Sequence, residues 1–168
     1  MDVVTNEYLL QRIQEEFHDA ILSAELPYNM LTLVVDSTKI LDILKWLKED
    51  EILKFRFLTD ICGSHFPDYK DHELCVIYHV QSMENNMRLR LKCFVPINKP
   101  EISSVTSLYS SANWMERETY DYYGFIFTGH PNLKRILNVD EMDYFPLRKE
   151  YPLEDATRTD KDDKYFGR

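Results

Sequence analysis

Glu73-Leu-Cys-Val-Ile-Tyr-His-Val-Gln-Ser-Met-Glu-Asn-Asn-Met-Arg-Leu-Arg-Leu-Lys-Cys-Phe-Val95 reads as two strands and the turn between them. Glu73 to Gln81 and Met87 to Val95 are the strands, and Met83-Glu84-Asn85-Asn86 supplies the hairpin signature. In the second strand Met87, Leu89, Leu91 and Cys93 alternate with Arg88, Arg90 and Lys92. One face is apolar and the other cationic, the pattern of an antiparallel sheet packed on one side only.

Toward the N-terminus, Thr5 to Asp19 spaces Leu9, Leu10, Ile13 and Phe17 at helical intervals with acids between them, an amphipathic helix. Leu31 to Val35 is a short, β-branched apolar run and predicts a buried strand. Asp36 offers an N-cap, and Ile40, Leu41, Leu44 and Leu47 draw one apolar stripe on a helix reaching about Glu49. Ile52 to Ile61 alternates in part and predicts a further strand ending at Gly63. Ser64 to His72 holds the turn formers Pro67, Asp68 and Asp71. The order helix, strand, helix, three strands predicts an α+β domain, a mixed or antiparallel sheet with helices on one face.

Past Pro96 and Pro100 the character changes. Ile102 to Ser111 predicts a short helix or turn. Asn113 to Tyr123 predicts a firmer helix, with Asn113 and Glu116 in capping-box spacing and Gly124 at C′. Arg117 and Asp121, four apart, suit an intrahelical ion pair. From Phe125 onward there is no long period, only short apolar pieces punctuated by Gly129, Pro131, Pro146 and Pro152. Glu154 to Arg168 is mixed in charge and nearly devoid of apolar residues before Tyr165 and Phe166, a segment expected to order only against a partner. The organisation expected is an α+β core at 1–100, a helix and Gly-His-Pro segment at 101–137, and an extended, partner-dependent tail at 138–168.

Composition limits the functions available. A chain of 168 residues buries a core without disulfides or metals. The net charge of -9 and pI near 5.0 argue against a phosphate backbone or anionic lipid as partner, because both need clustered Lys and Arg. No apolar run approaches the roughly 20 residues that span a bilayer, so membrane association would come only through other proteins. Met1 to Leu10 carries acids and no basic n-region, unlike a signal peptide. Cys62, Cys75 and Cys93 are odd in number and fit a reducing compartment. The 11 Tyr and 9 Phe against 4 Gly favour a chain that docks on others, or equally an aromatic-rich core of its own.

Three places can be weighed for chemistry. Cys62-x2-His65 and His72-x2-Cys75 supply two Cys and two His, the ligand types of tetrahedral zinc. The spacing is uncommon for zinc, and small apolar cysteines beside loop histidines account for it better. Glu116, Arg117, Glu118 and Asp121 share a helix with Trp114, Tyr120, Tyr122 and Tyr123. Their acids suit proton transfer, yet no orienting partner or pocket accompanies them, so a hydrogen-bonded network at an aromatic interface is the better reading. Gly129-His130-Pro131 is a turn whose histidine more often holds a loop than a metal. No phosphate loop, serine elbow or cluster-binding cysteine set is present. Residue chemistry alone thus stops at a soluble α+β domain with an unusual aromatic, charged helix.

The run from Trp114 to Leu137 carries more. Glu116, Arg117, Glu118, Asp121 and Gly124 are followed by Gly129, His130 and Pro131, then by Lys134, Arg135, Ile136 and Leu137. This resembles the E-R-E-x-x-D-x-x-G helix, G-H-P turn, basic pair and I-L of the C subunit of NADH–quinone oxidoreductase, the 30 kDa subunit family of respiratory complex I. Val76-Ile-Tyr-His-Val80, Arg88-Leu-Arg-Leu91, Pro146-Leu-Arg-Lys149 and Tyr151-Pro-Leu153 resemble further family segments, so the likeness spans about Leu31 to Leu153. Many members have a second Gly-His-Pro before Pro146; here Asp143-Tyr-Phe145 stands in that place.

The resemblance implies a subunit of the hydrophilic arm that has no catalytic residue, cofactor or metal of its own. FMN and iron–sulfur clusters would lie in partner subunits. It implies docking against the D subunit, near the B subunit, on the cytoplasmic face of a bacterial inner membrane, in an enzyme that couples NADH–quinone electron transfer to proton translocation. Trp114, Glu116, Arg117, Glu118, Asp121, Gly124, Gly129, His130, Pro131, Arg135, Leu137, Pro146 and Arg148 are the expected interface and signature residues. Rival readings are the related subunit of a membrane-bound energy-converting hydrogenase, a free-standing protein-binding adaptor, and a zinc hydrolase built on Cys62, His65, His72 and Cys75.

Overall fold

A computed structural model describes residues 4–151. The helix α1 (Asn6–Phe17) begins where Thr5 accepts a hydrogen bond from the Tyr8 N–H, and it buries Leu9 and Ile13. β1 (Ile21–Glu25) turns through Pro27–Asn29 into β2 (Leu31–Val35), and α2 (Ile40–Glu49) follows. β3 (Phe57–His65), β4 (Leu74–Ser82) and β5 (Met87–Val95) are the long strands. A short β6 (Glu101–Ser103), α3 (Ala112–Tyr123) and β7 (Ile126–Thr128) complete the elements.

The sheet is mixed, in the order β1-β2-β5-β4-β3. Every neighbouring pair is antiparallel except β2 and β5, which run parallel. The alternation in β5 is realised: Leu89, Leu91, Cys93 and Val95 are buried while Arg90, Lys92 and Phe94 lie on the other, half-exposed face. Tyr78 and Val80 of β4 join the buried side, which packs with Leu9, Ile13, Ile43, Leu44 and Leu47 of α1 and α2. The same apolar cluster continues into Ile102, Val105, Tyr109, Ala112, Phe125 and Phe127.

Four local expectations are corrected. β1 has no counterpart in the sequence reading, because as an edge strand it is exposed along most of its length and carries no buried alternation. The predicted strand from Ile52 begins only at Phe57 and runs on through Gly63 to His65. Asp50 explains the delay: its carboxylate accepts the N–H groups of Ile52 and Leu53, both at 2.8 Å, and folds that segment into a turn. Ile102 to Ser111 opens on β6 rather than on helix, and β6 pairs in parallel with β7. Asp36 caps a short 3-10 turn over Ser37–Lys39 before α2, and Ile43 takes the fully buried place on the stripe while Leu41 is only half-buried.

Candidate docking element

The helix α3 lies along β3, the edge of the sheet opposite β1. Close approach is possible because position 63 is glycine: a Cβ there would sit 2.5 Å from the Tyr123 ring. At its C-terminus Gly124 adopts φ +81 and its N–H closes on the Tyr120 carbonyl, as expected for C′. The expected capping box does not form. Asn113 lies inside the first turn, Ser111 holds the cap position, and Glu116 points into the core.

Glu116 is fully buried. Its carboxylate accepts from the Ser104 hydroxyl and the Val105 N–H, each at 2.7 Å, tying α3 to the segment after β6. Burial pushes its pKa up to about 7, against the opposing pull of those two donors. No cation is paired with it among the described residues.

Asp121, one and a half turns further on, is also fully buried but differently served. One carboxylate oxygen receives the backbone N–H groups of Ile136, Leu137 and Asn138 at 3.0, 2.7 and 3.1 Å. The other receives Arg135 Nη1 at 2.9 Å and Asn138 Nδ2 at 3.1 Å. The expected Arg117–Asp121 pair is absent, because Asp121 spends its acceptor capacity on the returning chain. Arg117 instead donates to the carbonyls of Lys134 and Arg135 and lies over the Trp114 ring at 4.7 Å.

Residues 129–151 thus form a strap across α3. Arg135 also donates to the Met142 and Tyr144 carbonyls, drawing the strap into a loop. Arg148 donates to the Tyr123 carbonyl at 2.7 Å, capping the end of the helix. Both guanidinium groups stack on Phe145, at 5.0 and 4.7 Å from its centroid. Phe145 in turn covers Gly124, where an added Cβ would come within 2.5 Å of the ring. Phe145 is one of the residues standing in place of the second Gly-His-Pro, so that departure fills a packing position. His130 links the Gly-His-Pro turn to the helix, its Nε2 on the Asn113 carbonyl and its Nδ1 accepting the Asn132 N–H, each at 3.0 Å. It serves as a loop fastener. Gly129, at φ +87, and Pro131 shape this turn on the surface, and Pro146 lies half-buried beside Phe145 in the chain.

The strap also reaches the sheet, where the Lys149 N–H donates to Nδ1 of buried His65 at 3.0 Å. Sequence reasoning missed His65, Asn138, Ser104 and Phe145 as members of this assembly. Ser104, Asn138 and His65 act across separations of 12 to 84 positions along the chain, beyond any local pattern. The Cys62, His65, His72 and Cys75 set is not gathered: His65 faces the core and the strap, whereas Cys62 lies on the opposite face of β3.

The helix, strap and β7 leave several large apolar side chains open to solvent. Trp114, Leu137 and Val139 are each more than 60% exposed, with Ile126, Tyr144, Leu147 and Tyr151 also exposed. Glu118 is exposed beside them. Such a patch on a hydrogen-bonded frame suits contact with another protein.

The family model for the respiratory-chain NADH dehydrogenase 30 Kd subunit matches residues 33–157. The C subunit of NADH-quinone oxidoreductase from Methylobacterium sp. (strain 4-46) is 38% identical over 145 residues, covering 86% of this chain and 66% of the relative. Its counterpart from Nocardioides sp. is 45% identical over 114 residues, covering 68% and 46%. The chain therefore spans less than two thirds of the length of these relatives. Among solved structures, the trypsin-resistant fragment (1-134) of Nqo5 superposes with a TM-score of 0.65 at 28% identity, covering 76% of this chain and 98% of the fragment. A chain of the membrane-bound sulfane sulfur reductase, an archaeal respiratory membrane complex, shares the fold with a TM-score of 0.73 at 23% identity, covering 88% and 85%.

Proposed function

This chain belongs to the 30 Kd subunit family of respiratory-chain NADH dehydrogenase, and from that premise we propose that it is a peripheral-arm subunit of a proton-translocating NADH–quinone oxidoreductase. In this reading it works by assembly, docked on the D subunit and close to B. FMN and iron–sulfur clusters belong to partner subunits, and the chain contributes no redox group of its own. Among the described residues no helix is long and apolar enough to cross a membrane. The complex would therefore carry the chain to the cytoplasmic face of the membrane.

The observation that carries the proposal is the α3–strap unit. Its polar groups bond internally through Asp121, Arg135 and Arg117, while Trp114, Leu137 and Val139 are each more than 60% exposed. An internally braced, outwardly apolar surface loses little conformational entropy on docking. The likeness to an archaeal respiratory complex shows that other membrane complexes use the fold. The 36–45% identities to NADH-quinone oxidoreductase subunits favour quinone as the acceptor side.

The test is purification of the tagged chain from membranes in mild detergent, with identification of what accompanies it. D and B subunits with NADH-dependent quinone reduction are expected. Hydrogenase subunits, or the chain alone in the soluble fraction, would refute the reading. Leu137→Asp combined with Val139→Asp should leave the thermal midpoint of the isolated chain nearly unchanged and reduce recovery of the D subunit severalfold. Normal assembly of that variant would move the docking surface elsewhere.

A further inference from the structure

The open face of the sheet carries a second cluster that the docking element does not use. A bulge between Leu58 and Asp60 sets the β3–β4 register so that Asp60 lies opposite His79. Bulges re-aim side chains in this way and recur beside functional sites. Cys62, two residues along β3, shares the face with Asp60. Asp60, Cys62 and His79 are half-buried, and each offers a ligand atom within 4.8 Å of the others. His79 Nδ1 and Asp60 Oδ2 are 3.8 Å apart, close to the separation of about 3.3–3.8 Å between ligands on tetrahedral zinc with bonds of about 2.0–2.3 Å. Thiolate, imidazole and carboxylate together suit zinc and its borderline relatives, not magnesium or calcium.

We propose that Asp60, Cys62 and His79 form a three-ligand site for a zinc-type divalent ion, its fourth position left to water or a partner's side chain, with Arg90 competing for His79. The competition follows from one contact: Arg90 Nε donates to His79 Nε2 at 2.8 Å. That bond leaves the ring proton on Nδ1, facing Asp60. When the ion binds, the ring proton moves to Nε2, Nδ1 gives its lone pair to the metal, and the Arg90 guanidinium turns away. The Cys62 thiol releases its proton to solvent and the thiolate sulfur bonds to the ion. One proton leaves for each ion bound.

Without an ion the thiol stays protonated at neutral pH: burial first, then the Asp60 carboxylate and more weakly that of Glu118 on α3, push it up to about 11, while Arg90 opposes them.

Cobalt(II) is the probe, titrated into the full-length chain. One equivalent should produce a thiolate-to-cobalt charge-transfer band that zinc(II) abolishes. Cys62→Ser should remove the band, and Arg90→Gln should tighten binding severalfold, which a merely structural arginine would not do. Because Cys75 and Cys93 are fully buried, alkylation of the native wild type reports Cys62 and does not depend on the folding of any variant. Stoichiometric zinc(II) should slow it at least tenfold. Absence of the cobalt band, its survival in Cys62→Ser, or alkylation indifferent to zinc(II) would overturn the site. Weaker binding by Arg90→Gln would overturn the competition.

Discussion

Glu116 and Asp121 are two fully buried carboxylates on one helix, yet they hold their protons oppositely. Burial raises both. At Glu116 one N–H and one hydroxyl oppose it, and the group settles near neutrality. At Asp121 the N–H groups of Leu137, Asn138 and Ile136, with the Asn138 side chain, outweigh burial and keep the carboxyl well below the usual carboxylate range. Depth does not decide the charge; the number of donors does. Those donors belong to the strap, so the charge on Asp121 and the position of the strap are a single structural fact. The two ends of α3 therefore differ in kind, one a charged hub for the docking surface and the other a near-neutral pin into the core.

The largest expected effect comes from removing the hub. Asp121→Ala leaves Arg135, whose side chain is only 7% exposed, without its partner, and three N–H groups lose their acceptor. Breaking a buried pair in this way costs about 3–5 kcal/mol, to be read from urea denaturation of the isolated chain. Asp121→Asn should fall between that variant and wild type. A loss below about 1 kcal/mol would mean that the strap is held by its stacking on Phe145, and the contrast with Glu116 would dissolve. In the membrane, Asp121→Ala should lower assembly more than it lowers turnover in complexes that do assemble.

The near-neutral pin predicts a pH dependence of the opposite sense. The folded pKa of Glu116 lies above its ordinary value, so the folded state binds the proton more tightly than the unfolded one. Its stabilising contribution is complete below 4.5 and is lost as pH rises through about 7. At about 1.4 kcal/mol per pKa unit the swing is on the order of 3 kcal/mol. Glu116→Gln keeps an acceptor for the Val105 N–H and gives the Ser104 hydroxyl a donor, without titrating. The stability of the variant relative to wild type should therefore climb by about 3 kcal/mol from pH 4 to pH 8. A constant difference across that range would show that Glu116 ionises as freely as a surface acid.

How much of this was legible follows the same division. The hairpin of β4 and β5, the buried run Leu31 to Val35 and the stripe on α2 are local periodicities, and they were readable because one face is buried along each element. β1 was not, since an exposed edge strand leaves no alternation. The resemblance drew attention to the residues of the helix and strap, while most of the contacts they make were not readable from it. Arg117 and Asp121 at helical spacing suggested a pair. The geometry sends each to a different part of residues 134–138, because a returning chain with free N–H groups offers a buried carboxylate more than one neighbouring guanidinium can. Asn113 and Glu116 likewise matched a capping box, and the core outcompeted the cap. Of the tail expected to be partner-dependent at 138–168, residues 138–151 bond to this chain's own helix and sheet, and Glu154 to Arg168 lie outside the described residues.

The smallest effect tests how the strap meets the sheet. His65 accepts the Lys149 N–H, so it works as a neutral ring. Burial depresses its pKa, with Arg148 and Lys149 pushing the same way and Glu150 and Glu73 opposing. The unfolded chain therefore binds the proton more readily than the folded one. Stability from this contact is complete above the ordinary histidine value and is lost as pH falls through the lower, folded one. A single hydrogen bond of this kind contributes about 1 kcal/mol, too little to unfold the domain but enough to loosen the strap locally. Protection of the Lys149 amide against hydrogen exchange should drop on acidification in the wild type. It should stay level in His65→Gln, whose side-chain oxygen accepts the same bond without titrating. Equal loss in both proteins would place the acid sensitivity at another of the strap's contacts, and the Lys149–His65 bond would no longer account for it.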